Sequence, residues 1–590
     1  MLLSIFLITG ALAAEVLAPI HVSEPRTELA DFTVTPLWEV REEELQHAQQ
    51  LADALEHIPG ITSTQSGGPG ARSAFYLRGS ESRHALVLLD GFRLNDPAGT
   101  DRGFDGAFFR PEALQEIVYL PGPSPALYGA DAISGVIELV PRRGGDSPRR
   151  SLSTRVGSFD TRALSGVVDW GAGGQRGSVT AQHFATRGFS RLNKRRHGAS
   201  EADGSEMHQV SQASTHQWTP KAATELTLLA NRGRIEQDGA SADEPSDHSK
   251  NDLLGIIQRT TWTTGEDQLW LKTGIVSQVR RPVTASQGSE KYQAQERRLQ
   301  LAYARPRSEG TSFVAGVELS QEWLSISDVT AQTDLAALFA QQRYSRGRWT
   351  FSVGGRGERH QRYGNFFAPE AGVSFDAWAG QLFSKVARGY KAPSLYQLYA
   401  PPSFGSDIGN PALTPEINES FEVGFRSRGP RVLHLTLFEQ NFSNLISYTN
   451  TGYQNRGELV VRGLELGVAW ELSGRDVLAL TGTLLEFSQF ERTPLRRPSH
   501  QGLARWGHEA GRFKSDLELR IVGERRDIDT AGEVRRLTPY ELVNLRLSWE
   551  LSRQDHVAVE LQNLTDRDYE ELWGYSVAPR SGYVSWQHRW

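Results

Sequence analysis

From about Ser151 to the last residue, Trp590, apolar side chains recur at every second position, segment after segment. Leu517, Leu519 and Ile521 alternate with Asp516, Glu518 and Arg520. Leu545, Leu547, Trp549 and Leu551 alternate with Arg546, Ser548 and Glu550, and Val557, Val559 and Leu561 with Ala558, Glu560 and Gln562. Upstream, Leu226 and Leu228 flank Thr227, while Trp349, Phe351 and Val353 flank Thr350 and Ser352. Side chains two apart share one face of a strand, so each segment is a strand with an apolar and a polar side. A soluble sandwich would pack the apolar faces into a core; a membrane barrel would turn them to lipid and line its lumen with the polar ones. Period alone does not separate the two, but length does. About 440 residues, at roughly 20 per strand plus connection, suit a closed barrel of about twenty strands.

The connections point the same way. Short polar breaks such as Leu551-Ser552-Arg553-Gln554-Asp555 contrast with long polar stretches at Arg191–Gln209 and Gln237–Asn251. Short turns on one rim and long loops on the other are the outer-membrane pattern. The chain ends on a strand with Val584, Trp586 and Trp590 in one phase, and a terminal aromatic suits a rim girdle. Residues 1–14, MLLSIFLITGALAA, form the long apolar run of the sequence. It is too short to span a bilayer as a helix and ends in small residues, as a secretory signal does. The basic n-region is missing, as it would be if Met1 lay inside the true signal. Only helices and closed barrels satisfy their backbone polar groups in lipid, so a secreted β-rich adhesin and an outer-membrane barrel are the classes left. Cysteine is absent, which rules out disulfides, thiolate metal sites and a cysteine nucleophile. A net charge of −6 gives no electrostatic case for nucleic acid. No Walker loop, HExxH or GxSxG occurs, so no enzyme is expected.

Residues 31–143 are of another kind. Glu42–Ile58 carries Leu45, Ala48, Leu51, Leu55 and Ile58 at helical spacing, and Pro59-Gly60 stops it, which predicts one helix. Short strands are expected at Phe75–Arg78, Ala85–Leu89, Glu116–Leu120 and Val136–Val140, joined by glycine-rich links. This is a compact α+β domain of about 110 residues. Placed ahead of a large barrel, it could sit in the lumen.

Several blocks carry a resemblance: LADALEHIPGI, YLRGSESRHALVLLDGFRLN, EIVYLPGPSPALYGADAISGVIELV, GYKAPSLYQLYAP, NPALTPE and LQNLTDRDYEE. They are spread from residue 51 to the C-terminus. Together they resemble the plug and barrel signatures of the TonB-dependent outer-membrane transporters. The resemblance implies an all-β transmembrane barrel of about 22 antiparallel strands (150–590), with an N-terminal α+β plug domain (31–143) in its lumen. It implies residence in the outer membrane of a Gram-negative bacterium, in contact with its lipid, and action as a monomer. It also implies energising by TonB, itself driven by ExbB and ExbD, through an N-terminal box. Segment 15–30 would hold that box at Pro19, Ile20, His21, Val22, Ser23 and Glu24, since strand addition needs an extended, exposed peptide. His21 and the early proline depart from the usual valine-rich form.

Within the family the likeness is greatest to members that import cobalamin, and it extends to TQSGGPGARSAFYLRG, TPLRRPSH and WGYSVAPRS. Carried over position by position, it implies ligand contacts at Arg72, Ala74 and Glu81 in two plug loops, Thr100 and Asp101 in a third, and Arg496 in a barrel loop. Arg72 and Glu81 are charged where small or neutral side chains are usual. No resident cofactor is required by the resemblance, although calcium in the outer loops is implied. Glu201, Asp203, Asp238 and Asp243 are its candidate ligands, with Glu206 and Asp247 nearby; oxygen-rich loops suit calcium, yet no strict ligand spacing appears. Arg78 is implied as a plug-to-barrel contact, and a buried arginine requires a carboxylate partner. Two other ligand classes stay open. A ferric-siderophore receptor of the catecholate type would use arginines and aromatics, as at 396–404 and 525–536; a haem receptor would use loop histidines such as His208 or His500.

Overall fold

The computed structural model describes residues 32–590, apart from 130, 239–241, 243, 245, 286–287, 309, 403–406, 430 and 490–492. The signal segment and residues 19–24 lie outside the described residues, as does Asp243.

Twenty-two long antiparallel strands close into one barrel, each bonded to its neighbours in sequence. The first, Arg149–Gly157, pairs with the last, Ser581–Arg589, so no edge is left unpaired. Alternation in the sequence becomes alternation across the wall. Leu433, Leu435 and Leu437 are exposed on the outside, while His434 and Thr436 between them are buried against the lumen. Trp349, Phe351 and Val353 likewise face out, and Thr350 and Ser352 face in. At the rim of short turns, exposed Trp218, Trp262, Trp349, Trp378, Trp470 and Trp549 form an aromatic girdle, which Trp590 joins at 63 % exposure. The opposite rim carries the long loops. Segment 392–415 holds a helix at Leu395–Tyr399, and two loops fold into hairpins, Ile446–Thr449 with Gly452–Asn455 and Arg525–Ile528 with Val534–Leu537. Two of these loops are shorter than the polarity of the sequence suggests. Strands Asp203–Thr219 and His248–Thr264 take in polar residues that read as loop, because their outward faces near this rim are themselves polar.

Inside the barrel sits a mixed sheet in the order Trp38–Arg41, Leu114–Pro121, Gly135–Pro141, Ala85–Leu89 and Phe92–Arg93. Ala85–Leu89 runs parallel to Gly135–Pro141, and the other pairings are antiparallel. A separate hairpin pairs Ile61–Gln65 with Ser73–Leu77. Strand Phe75–Arg78 of the sequence reading thus begins two residues earlier and ends one residue earlier, since Arg78 leaves the sheet with φ +49. The helix expected over Glu42–Ile58 is broken into Glu42–Leu45 and Leu51–Leu55. The Asp53 carboxylate accepts from the backbone N–H groups of Gln49 and Gln50, both at 2.9 Å, and so caps the second helix where a single helix would have continued. The apolar positions still face one core, with Leu45, Leu51, Leu55 and Ile58 packed against Trp38, Leu77, Val87, Ile117 and Ile137.

Candidate ligand-binding site

The hairpin Ile61–Gln65/Ser73–Leu77 projects its connecting loop toward the long-loop rim, carrying Arg72 at the tip. Asp105 ties this loop to the next. Its Oδ1 accepts from the backbone N–H of Ser73 at 3.0 Å and of Ala107 at 3.1 Å. Beside it the Arg72 guanidinium reaches Asp101 Oδ2 at 3.5 Å, and Asp101 Oδ1 accepts from Gly103 N at 3.1 Å. Burial raises the Asp101 carboxyl, but the Arg72 and Arg83 guanidiniums prevail and hold it below its ordinary range.

Arg72, Thr100 and Asp101 meet at one cleft of about 160 Å³ between plug and barrel wall. Its plug side includes Asp96, Asp105 and Phe104, and its barrel side presents Asn231, Asn251, Asp252, Gln278 and Arg280. Every cation here is already matched. Arg280 pairs with Asp96 at 2.8 Å, and Asp252 takes both Arg232 at 2.8 Å and Arg281 at 2.7 Å. The cleft therefore offers amides, carboxylate oxygens and aromatic faces, with no free positive charge among its described residues.

The remaining three candidates lie to the side. Ala74 is half-buried in the hairpin, paired with Thr64. Glu81 meets Arg83 at 3.3 Å and Arg497 at 3.2 Å; burial raises its carboxyl, yet these two arginines hold it down at about 2. Arg496, at φ +68, donates from Nε to Asp527 Oδ1 at 2.9 Å and stands within hydrogen-bond reach of Tyr76. Asp527 in turn accepts from Trp573 N at 2.9 Å, so Arg496 links a plug strand to two barrel loops. The barrel-wall lining of Asn231, Asn251, Gln278 and Arg280 was not among the sequence candidates.

Below the cleft, Arg78 turns out of the plug into the wall. Its Nε and Nη2 donate to Glu465 Oε1 and Oε2 at 2.8 and 2.7 Å, and Nη1 donates to Glu422 Oε2 at 2.6 Å. The Phe438 ring lies 4.4 Å from the guanidinium carbon. Gly60 makes the approach possible, because a Cβ there would collide with the Glu465 carboxylate. Thr35 Oγ1 donates to the other oxygen of Glu422 at 3.0 Å, adding the start of the plug to the same junction.

Among the acidic candidates, Asp203 and Asp238 lie side by side within hydrogen-bond reach. Asp238 Oδ2 is a buried oxygen without a hydrogen-bond partner, and Glu201 Oε2 is buried as well. Such oxygens fit a hard cation. Asp247 instead accepts from Ala285 N at 2.7 Å, bridging to the next loop. Glu206 is no loop residue: it sits in strand Asp203–Thr219 and points outward, as does His208. His500 is also outward and exposed, in phase with Trp506, so neither histidine reaches the lumen as a haem ligand would.

Comparison with known proteins agrees with this architecture. The family profile described as "TonB dependent receptor-like, beta-barrel" matches residues 143–564, and "TonB-dependent Receptor Plug Domain" matches 33–136. The chain is 24% identical over 571 residues to a Vitamin B12 transporter BtuB of Vibrio cholerae, covering 91% of this chain and 89% of that one. The siderophore receptor PirA of Acinetobacter baumannii superposes with a TM-score of 0.82 at 15% identity, covering 94% of this chain and 98% of that one. A ferric enterobactin receptor (PfeA) mutant of Pseudomonas aeruginosa, in complex with enterobactin, gives 0.79 at 15% identity, over 94% and 99%. With both its plug and its 22-stranded barrel matched, the chain belongs to the TonB-dependent receptors of the outer membrane.

Proposed function

We propose that this receptor imports a corrinoid of the cobalamin class, drawing energy from TonB at residues 19–24 and acting as a monomer. The charge balance of the apex cleft carries the reading. A ferric tris-catecholate is a compact polyanion and calls for unpaired cations, whereas Arg72 and Arg280 are already committed to Asp101 and Asp96. A corrinoid rim of neutral amides needs dispersed donors and acceptors, which Thr100, Asn231, Asn251 and Gln278 supply. The cleft would take one edge of so large a ligand, with the outer loops covering the rest. Calcium held by Asp203, Asp238 and Glu201 would join strand Asp203–Thr219 to the loop at 237–247 and order that cover.

A second reading rests on a different spot. In the outer loops Trp573 has the Arg196 guanidinium 3.4 Å and the Arg535 guanidinium 5.8 Å from its ring centre, an arrangement that would suit an anionic aromatic chelate able to displace their present partners Glu570 and Asp529. Calorimetry on the detergent-purified protein separates the two, with cyanocobalamin titrated in the presence and absence of calcium and ferric enterobactin titrated alongside. Saturable sub-micromolar binding of cyanocobalamin, weakened about tenfold in Arg72→Ala, supports the corrinoid. Binding of the ferric chelate alone overturns it in favour of the second reading.

A further inference from the structure

Outside the lumen, on the lipid-facing wall near the long-loop rim, three potential metal ligands stand together. His183 in strand Gln175–Phe189 is the direct cross-strand partner of His208 in strand Asp203–Thr219, and Glu206 lies two residues from His208 on the same face. The two imidazoles face each other through Nδ1 at 3.3 Å, with ring centres 4.7 Å apart. One ligand atom from each of the three residues lies within 4.8 Å of the others. His208 and Glu206 have side chains more than half exposed, so an ion can reach them.

We infer that His183, His208 and Glu206 form a binding site for a borderline divalent transition metal, with zinc as its natural probe. Two nitrogens each ~2.0–2.1 Å from a tetrahedral zinc stand about 3.3 Å apart, which is the spacing the imidazoles already hold. The antiparallel pairing fixes that spacing through the backbone, so little rearrangement is needed. Glu206 now reaches the far nitrogen of His208 at 3.3 Å and would swing to the ion as third ligand. The fourth position is left to water or to an anionic oxygen of the surrounding leaflet. Two nitrogens and one oxygen favour zinc, nickel or copper over calcium, so this site is chemically distinct from the acidic loops.

The neighbouring cations do not close it. Arg232, opposite His208, is taken by Asp252 at 2.8 Å, and Arg234, opposite Glu206, leans toward Glu236 at 3.9 Å. Position suggests a use. The two strands bracket the loop at 190–202, whose Arg191 donates to Ser66 O at 2.9 Å and to Ser66 Oγ at 3.0 Å in the plug-apex hairpin loop. An ion pinning the strands would stiffen the base of the arm that grips the apex.

The test is calorimetric titration of zinc chloride into untagged, calcium-free, detergent-purified protein. One saturable site per chain with micromolar affinity is expected, weakened on the order of tenfold in Glu206→Gln and a hundredfold or more in the double variant H183A/H208A. His248→Ala, two strands along the wall from His208, should leave it unchanged. All these side chains are on the outer surface, and unaltered heat-modifiable gel migration verifies folding. Wild-type protein without a saturable site, or equal affinity in H183A/H208A, overturns the assignment. Neither result depends on which nutrient the receptor imports.

Discussion

Replacing Arg78 by alanine should unseat the plug, and the size of the effect follows from the junction it holds. Arg78 is 1% exposed, and its three hydrogen bonds run to two carboxylates that are themselves buried. Removing the cation leaves Glu422 and Glu465 facing one another without a counter-charge. Breaking a buried ion pair from one side costs about 3–5 kcal/mol, equivalent to roughly two to four orders of magnitude in the docked-to-undocked ratio. Single-channel recording in planar bilayers with stepwise urea reads this directly. Wild-type barrels should stay closed until the plug unfolds, and R78A barrels should conduct at distinctly lower urea. The cost arises from stranded charge, so R78M combined with E422Q and E465Q should recover most of the lost resistance. An R78A barrel that opens at the wild-type urea concentration would refute the reasoning. So would a triple variant as leaky as R78A, since the arginine would then act through shape alone.

Three further outcomes are expected. Deleting residues 19–24 should abolish energised uptake while leaving equilibrium ligand binding within about twofold of wild type, measured by uptake and calorimetry on the same variant. Calcium should raise the thermal midpoint of the purified protein, and Asp238→Asn should remove most of that gain; a calcium shift surviving in D238N would dismiss the Asp203–Asp238 site. The Glu81 carboxyl sits at about 2, lowered from 4.5. Its contribution is therefore fully present above about pH 4.5 and is lost as pH falls toward 2. The stability difference between wild type and Glu81→Gln should be constant at neutral pH and vanish in that acid window; a difference unchanged down to pH 2 would contradict the pairing with Arg83 and Arg497.

Most of the barrel was legible because its two faces differ in chemistry at every step, as at Leu517, Leu519 and Ile521 against Asp516, Glu518 and Arg520. The broken helix was not, because Leu45, Leu51, Leu55 and Ile58 keep helical spacing across the interruption. The interruption depends on where one carboxylate, Asp53, chooses to bond. Arg72, Thr100 and Asp101 came through family likeness, and the cleft brings them together. Their barrel-side neighbours could not have come that way. Asn231, Asn251 and Gln278 are three inward polar residues among many on 22 strands, and nothing local says how the plug is rotated inside the ring. For the same reason a carboxylate partner for Arg78 could be required on physical grounds, while Glu422 and Glu465, 344 and 387 positions away, could not be named. The outward phase of His500, by contrast, was readable from Gly502, Ala504 and Trp506, and would have set aside its role as a haem ligand.

The way the plug is fastened bears on how it can be released. Its apolar core is largely internal, with Leu229, Ile257 and Val276 as the barrel's contribution. Contact with the wall is rich in ions, beside the apolar insertions of Phe32 and Leu127 next to Val314 and Phe339 and of Ile133 next to Phe438 and Phe442. Glu44 meets Arg505 at 3.0 Å, His57 meets Glu518 at 3.0 Å, Arg93 meets Glu322 at 2.7 Å, and Asp131, held within the plug by Arg102 at 3.1 Å, is reached by Lys391 of the wall at 3.7 Å. Parting two apolar surfaces costs about 25 cal/mol for each Å² exposed to water, with nothing to offset it. Parting ion pairs that face a polar lumen lets water solvate both partners, which returns much of what the pairing contributed. An ionic seam of this kind fixes one orientation of the plug through its pattern of opposite charges, yet it can be opened in part, pair by pair, without unfolding the apolar core. A pull on the N-terminal segment would first meet Phe32, whose carbonyl oxygen accepts from Gln341 Nε2 at 2.9 Å and Ser352 Oγ at 3.0 Å, and then Thr35 and Glu422, the contact that also bears on Arg78. Force is thereby delivered to the buried junction before it reaches the ligand cleft.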